Sequence, residues 1–173
     1  MKCPCCGHDN LPGADACEQC QTSLTQEEIG QKQSDIETRL MQEQISLLQP
    51  DKPLCVSRGT TLQRAIQIMR DNNFGCVVVT DEVTGKLVGI LTERDMLQKV
   101  AGQALDHSQC RVEDFMSPSP ESSQAEQPLA YALHRMIISD IRYLPLVDAN
   151  DRPEGIISSR DVIAYMYKRF SNT

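Results

Sequence analysis

The chain has 173 residues, a formal net charge of -7 at pH 7 and 40% hydrophobic residues. This length accommodates one compact domain of ordinary size with a small appendage, and the composition is typical of globular proteins. The acidic balance argues against nucleic-acid binding through a broad basic face. No apolar run is long enough to cross a bilayer and the N-terminus resembles no signal peptide, so we expect a soluble, cytoplasmic protein without membrane binding.

Residues 1–24 contain five of the eight cysteines. Cys3 and Cys6 form one CxxC pair, and Cys17 and Cys20 form a second. Each pair can wrap a tight turn around a metal ion, and two pairs supply the four thiolates of a tetrahedral zinc site. The spacing therefore predicts zinc as a cofactor bound by these four cysteines.

Other interpretations of this segment stay open. Cys5 or His8 could replace a neighbouring ligand, and disulfides or an iron centre with four thiolates are alternatives, although a reducing compartment disfavours disulfides. The pattern resembles a zinc ribbon of the CPxCG type, and the resemblance is confined to residues 1–24. It departs from that type at Gln21, where glycine is usual. Because a segment of this length buries only a small core, the metal would hold it together.

Residues 25–44 are predicted to form a linking helix that ends before Pro50. Thr25 is the expected N-cap, and Glu28 is placed to complete a capping box. Apolar residues follow at helical spacing: Ile36, Leu40, Met41 and Ile45. The stripe is thin, so a solvated spacer and a self-associating helix both remain possible interpretations.

The remaining chain consists of two similar halves. Met69 matches Met136 at an offset of 67 residues, and the closing phrases GILTERD at 89–95 and GIISSRD at 155–161 match at an offset of 66. The one missing residue falls in a surface turn, where length changes are tolerated. Within each half, apolar spacing predicts the order strand, helix, strand, strand, helix.

The strand LPLVD and the two closing phrases resemble the signatures of tandem CBS domains, a Bateman module, over about residues 45–170. The resemblance implies an α+β fold in which the two repeats pack as one module. The predicted domains are a zinc ribbon at 1–24, a linking helix at 25–44, and CBS domains at 45–110 and 111–173. It also implies two clefts of the kind that commonly hold AMP, ADP, ATP, S-adenosylmethionine or NAD.

Each half places a hydroxyl residue three positions before an aspartate, where a strand turns into a helix. An aspartate there can accept hydrogen bonds from the vicinal hydroxyls of ribose, and the free N–H groups of the helix favour phosphate. The predicted ligand-binding residues are Thr92, Asp95, Ser158, Asp161, Arg94, Arg160 and Arg142. The same spacing is also a helix-capping arrangement, and Arg142 could be a solvated residue after a helix end, so both alternatives stay open.

No nucleophile or base stands out as a catalytic set, so we expect no enzyme. The favoured interpretation is a regulatory protein, a homodimer, that senses an adenosyl ligand and signals through its ribbon and helix to a protein partner. The alternative is a ligand-free CBS dimerisation scaffold whose ribbon docks onto another protein. Recognition of nucleic acid by the ribbon is weakened by the acidic charge.

Overall fold

The computed structural model describes residues 1–3, 5–11, 13–24 and 35–170. The helices are α1 (Asp35–Gln42), α2 (Leu62–Asp71), α3 (Glu93–Asp95), α4 (Leu129–Ile138) and α5 (Ser159–Phe170). The strands are β1 (Cys55–Ser57), β2 (Cys76–Thr80), β3 (Leu87–Thr92), β4 (Ser117–Pro118), β5 (Tyr143–Val147) and β6 (Pro153–Ser158). Across these described residues, no helix is both long and apolar enough to cross a membrane.

The predicted α+β class is confirmed, because each half runs strand, helix, strand, strand, helix. The order in the larger sheet is β1, β2, β3 and β4, with β1 parallel to β2 and the other neighbours antiparallel. The strands β5 and β6 form a two-stranded sheet. A Cβ at Gly89 in β3 would collide with the sulfur of Met116, so glycine at this position permits a close approach.

The chain divides into two compact units that do not follow the two sequence halves. The unit that we call the ribbon unit comprises Met1–Pro50, Ser123–Leu144 and Ile157–Thr173. The other, the sheet unit, comprises Asp51–Ser122 and Pro145–Ile156. Its core contains apolar residues from the strands, α2 and the segment after α3: Val56, Leu62, Ala65, Met69, Val77, Val79, Leu91, Val100, Val112 and Met116.

The linking helix ends earlier than its apolar spacing predicts. Its expected start at Thr25 lies outside the described residues, and α1 ends at Gln42 rather than continuing through Ile45. Ile45 instead begins a 3₁₀ helix, Ile45–Leu48, and its N–H donates to the carbonyl of Gln127. The Glu43 carbonyl likewise accepts from the N–H of Leu129. Hydrogen bonds to Gln127 and to Leu129, the first residue of α4, therefore replace helical ones.

The helix that follows the first closing phrase is irregular. The three residues of α3 continue as a π-helix over Met96–Val100. Its counterpart α5 is a regular helix of 12 residues. The two halves therefore differ immediately after the motif that their sequences share.

Candidate metal centre and candidate ligand sites

The sulfur atoms of Cys3, Cys6, Cys17 and Cys20 all lie within 4.8 Å of one another. The Sγ atoms are 3.5 Å apart for Cys3 and Cys20, and 3.6 Å apart for Cys6 and Cys17. A tetrahedral zinc ion with Zn–S bonds of about 2.3 Å requires sulfur separations of about 3.8 Å. The four side chains therefore form a cage that fits such an ion closely.

Two turns of the same geometry build this cage. The N–H of Gly7 donates to the carbonyl of Cys3 at 3.0 Å, and the N–H of Gln21 donates to that of Cys17 at 2.8 Å. Gly7 has a φ of 74° and Gln21 a φ of 63°. Gln21 thus adopts the left-handed conformation that the ribbon pattern usually assigns to glycine.

Neither Cys5 nor His8 belongs to the four-sulfur group. The Cys5 side chain is 2% exposed, and its backbone N–H donates to the Cys3 sulfur at 3.4 Å. Burial raises the pKa of the Cys5 thiol to about 11, which favours the protonated form. All eight cysteines are free thiols, so none forms a disulfide.

The cage packs against α4 rather than standing apart from the rest of the ribbon unit. We call this contact the ribbon cluster, and its buried members are Cys3, Cys5, Cys17, Cys20, Leu24 and Tyr131. Tyr131 on α4 is 7% exposed, and Met41 of α1 and Ala130 of α4 border the cluster. The apolar composition of α4 was a signal for this contact, but the sequence did not indicate which residues would cover the helix.

In the first half, the Asp95 carboxylate is fully engaged. Its Oδ2 atom accepts from the N–H and hydroxyl of Thr92 at 2.9 and 2.6 Å, which completes a capping box. Its Oδ1 atom accepts from the Ser117 hydroxyl at 3.1 Å and lies 2.7 Å from the ammonium of Lys99. Burial acts to raise the pKa of Asp95, but Lys99 and Thr92 outweigh it and hold this pKa below its usual value.

In the second half, the contacts that Asp161 makes with the described part of the chain are those of the helix cap. Its Oδ2 atom accepts from the N–H and hydroxyl of Ser158 at 2.7 and 2.6 Å. Among the described residues, no side chain or N–H group donates to its Oδ1 atom. The capping interpretation therefore describes both copies, while one oxygen of Asp161 is left available.

Arg142 lies beside the second motif. Its carbonyl accepts from the N–H of Ser159 at 2.9 Å, and in the first half the carbonyl of Gly75 accepts in the same way from Glu93. The structure thus places Arg142, Ser158 and Asp161 at one strand-to-helix junction. The three predicted arginines are solvent-exposed: Arg94, Arg142 and Arg160.

Comparisons with known sequences identify the repeats. The family model described as the CBS domain matches residues 45–102 and 112–168. A 17.7 kDa protein of Acidianus ambivalens is 29% identical over 122 residues, covering 70% of this chain and 72% of that protein. Arabinose 5-phosphate isomerase KdsD of Pseudomonas aeruginosa is 35% identical over 105 residues, covering 61% of this chain but only 32% of that enzyme.

Solved structures share the fold of the repeats. The CBS domain pair of protein MJ0100, in complex with 5′-methylthioadenosine and S-adenosylmethionine, has a TM-score of 0.65 and 22% identity, and covers 73% of this chain and 98% of its own. Protein PAE2072 from Pyrobaculum aerophilum, complexed with AMP, has a TM-score of 0.64 and 22% identity, with 73% and 99% covered. The predicted tandem repeat is thereby confirmed.

Proposed function

This chain belongs to the CBS domain family, and we propose that it is a regulatory protein that binds an adenosyl compound and passes the signal to a partner through its ribbon. CBS domains are generally regulatory rather than catalytic units, and we propose no reaction for this chain. The observation that carries the proposal is the open Oδ1 atom of Asp161 at a junction shared with Arg142. The AMP and S-adenosylmethionine complexes of similar folds support it.

The proposed contacts follow from the chemistry of the residues. Asp161 would accept hydrogen bonds from the ribose hydroxyls through its open oxygen, while Ser158 keeps the carboxylate oriented. The first turn of α5 and the exposed cations Arg142 and Arg160 would attract the negative charge of a phosphate. They would not attract the positive charge of a sulfonium, and this difference could distinguish the ligands. The equivalent candidates in the first half are Thr92, Asp95 and Arg94.

We further propose that the four-cysteine cage holds zinc and that the ribbon transmits ligand occupancy. The ribbon cluster rests on α4, and the same unit contains Arg142 and Asp161. A ligand can shift such a unit only if it binds one packing arrangement better than another. We propose a cytoplasmic location, because a reducing compartment keeps such thiols available to the metal.

The test is a thermal shift of zinc-loaded protein with AMP, ADP, ATP, S-adenosylmethionine and NAD. A compound that binds only the native state raises the melting temperature by mass action. We expect at least one of the five to do so in a concentration-dependent way. The absence of any shift at millimolar concentration would favour the ligand-free scaffold.

A homodimer is the second proposal, and exposed apolar side chains favour it. These side chains lie on α4 and α5: Ile137, Ile138, Ile163 and Tyr167. The two helices contact each other, and exposed apolar side chains grouped in one region commonly mark an association site. We expect light scattering at micromolar concentration to report a dimer and an Ile138→Glu variant to shift it toward monomer. A parent protein that is monomeric throughout would contradict the proposal.

A further inference from the structure

We infer that the ammonium of Lys99 occupies the Asp95 carboxylate of the first motif and so excludes a ligand there. The chain then carries one adenosyl site, in its second half, rather than two. This inference rests on the proposed function. It concerns which of two matching motifs is available to a ligand, and its evidence is the different set of partners around the two aspartates.

The ammonium of Lys99 completes a bridge within the sheet unit. Besides its 2.7 Å contact with Asp95 Oδ1, it donates to the carbonyls of Phe115 at 2.7 Å and Met116 at 3.4 Å. Ser117 follows directly and donates to the same carboxylate oxygen. We call this set of contacts the Lys99 bridge, and it ties α3 to the backbone that precedes β4.

The bridge uses the groups that a ribose would need. Both oxygens of Asp95 already accept hydrogen bonds, and the residue is 6% exposed. A ribose could reach the carboxylate only after the Lys99 ammonium and the Ser117 hydroxyl had moved away. Breaking a charge-assisted pair that is largely buried on the carboxylate side is unfavourable, because the remaining carboxylate is left without its partner.

The positions that correspond to Lys99 and Ser117 around the second motif carry different residues. Lys99 corresponds to Tyr165, whose hydroxyl donates to Glu43 at 2.8 Å rather than to the aspartate of the motif. Ser117 corresponds to Pro50, which has no side-chain donor. Asp161 therefore lacks both partners that occupy Oδ1 of Asp95.

The two strand-to-helix junctions also differ in charge, and this difference again favours binding in the second half. The residue whose carbonyl receives the first N–H of the helix is Arg142 in the second half and Gly75 in the first. The first copy thus lacks this cation for a phosphate, and its nearby Lys99 ammonium is already engaged by a carboxylate and two carbonyls. Two independent differences, one at the ribose group and one at the phosphate group, assign binding to the second half.

The ligand experiment is calorimetric titration of the full, zinc-loaded chain with AMP. We expect one AMP per chain, a loss of affinity of at least tenfold for Asp161→Asn, and a change of less than threefold for Asp95→Asn. Asn keeps a side-chain oxygen that can accept from the N–H of Thr92 or Ser158, so both variants should fold. Two AMP molecules per chain, or equal losses of affinity in the two variants, would overturn the one-site assignment.

A second experiment reads the Lys99 bridge without any ligand. Melting temperatures of Asp95→Asn, Lys99→Met and the double variant form a cycle in which we expect non-additive losses, because both changes break the same contact. The matched cycle of Asp161→Asn and Tyr165→Phe should be additive. Additive losses in the first cycle would overturn the bridge. If the parent protein binds no AMP, the one-site assignment and AMP sensing are both overturned. Binding of two AMP molecules per chain would overturn the one-site assignment alone.

Discussion

Gly7 and Gln21 follow the second cysteine of their respective pairs, and both have positive φ angles, 74° and 63°. Glycine reaches this conformation freely, whereas a residue with a Cβ is strained there. The strain at Gln21 is compatible with the fold because the N–H of Gln21 donates to Cys17 and closes the turn. The metal cage is therefore supported by one relaxed turn and one strained turn.

We expect Gln21→Gly to stabilise the ribbon by about 0.5–1 kcal/mol, because relief of about 1–2 kcal/mol of left-handed strain exceeds the chain entropy that glycine loses on folding, about 0.5–1 kcal/mol. Competition with a zinc chelator should show slower or weaker metal removal than in the parent protein. The matched control is Gly7→Ala, which places a Cβ at the equivalent position and should have the opposite effect. Faster zinc loss in Gln21→Gly would contradict this account of the turn.

Asp95 is expected to make the sheet unit sensitive to acid. Its pKa is lowered in the folded state, so its contacts stabilise the protein above the unfolded-state pKa of about 3.9 and this stabilisation is lost as pH falls through the lower, folded value. Urea unfolding between pH 7 and pH 2 should therefore show a smaller loss of stability at low pH in Asp95→Asn. A pH dependence identical to that of the parent would refute the role of this carboxylate.

At the scale of elements, the end of α1 is set by contacts with α4 and α5. Glu43 comes directly after α1, and its carboxylate accepts from the Tyr165 hydroxyl at 2.8 Å and lies 3.5 Å from the Arg169 guanidinium. Its carbonyl accepts from the N–H of Leu129, the first residue of α4. One residue thus joins three helices of the ribbon unit.

We expect Tyr165→Phe to reduce the free energy of unfolding by about 1 kcal/mol, because it leaves the Glu43 carboxylate without its hydroxyl donor. Tyr167→Phe is the matched control, since Tyr167 on the same helix is 73% exposed, and it should be neutral. Denaturant unfolding of both variants measures the difference. Equal stabilities would show that the Glu43 contact contributes nothing.

For the molecule as a whole, we expect metal binding by the cysteine cage to stabilise the part of the second repeat that lies in the ribbon unit. The ribbon cluster buries Tyr131 of α4 beneath the cysteine cage, so the fold of the cage and the packing of α4 depend on each other. The core of the sheet unit contains no residue of the ribbon among those described. Loss of metal should therefore act on the two units unequally.

We expect Cys17→Ser or chelation to release zinc and increase hydrogen exchange in α4, because the metal holds the small ribbon folded and the ribbon covers this helix. Exchange in β2 and β3 should stay near that of the parent protein. Cys55→Ser is the control, since Cys55 is exposed and far from the cage in sequence. Unchanged protection of α4 after metal loss would contradict the linkage.

The spacing of apolar residues and of thiols was enough to indicate the repeat, the α+β class and the four-cysteine set, because such spacing is a local property that folding does not alter. It also located both aspartate motifs. The end of α1, by contrast, depends on tertiary contacts, since Glu43 is hydrogen-bonded to Leu129 at the start of α4 and Ile45 to Gln127 just before it. The sequence did not distinguish Asp95 from Asp161, because their difference comes from Lys99, Ser117 and Tyr165, and which carboxylate each of these meets is fixed by three-dimensional packing.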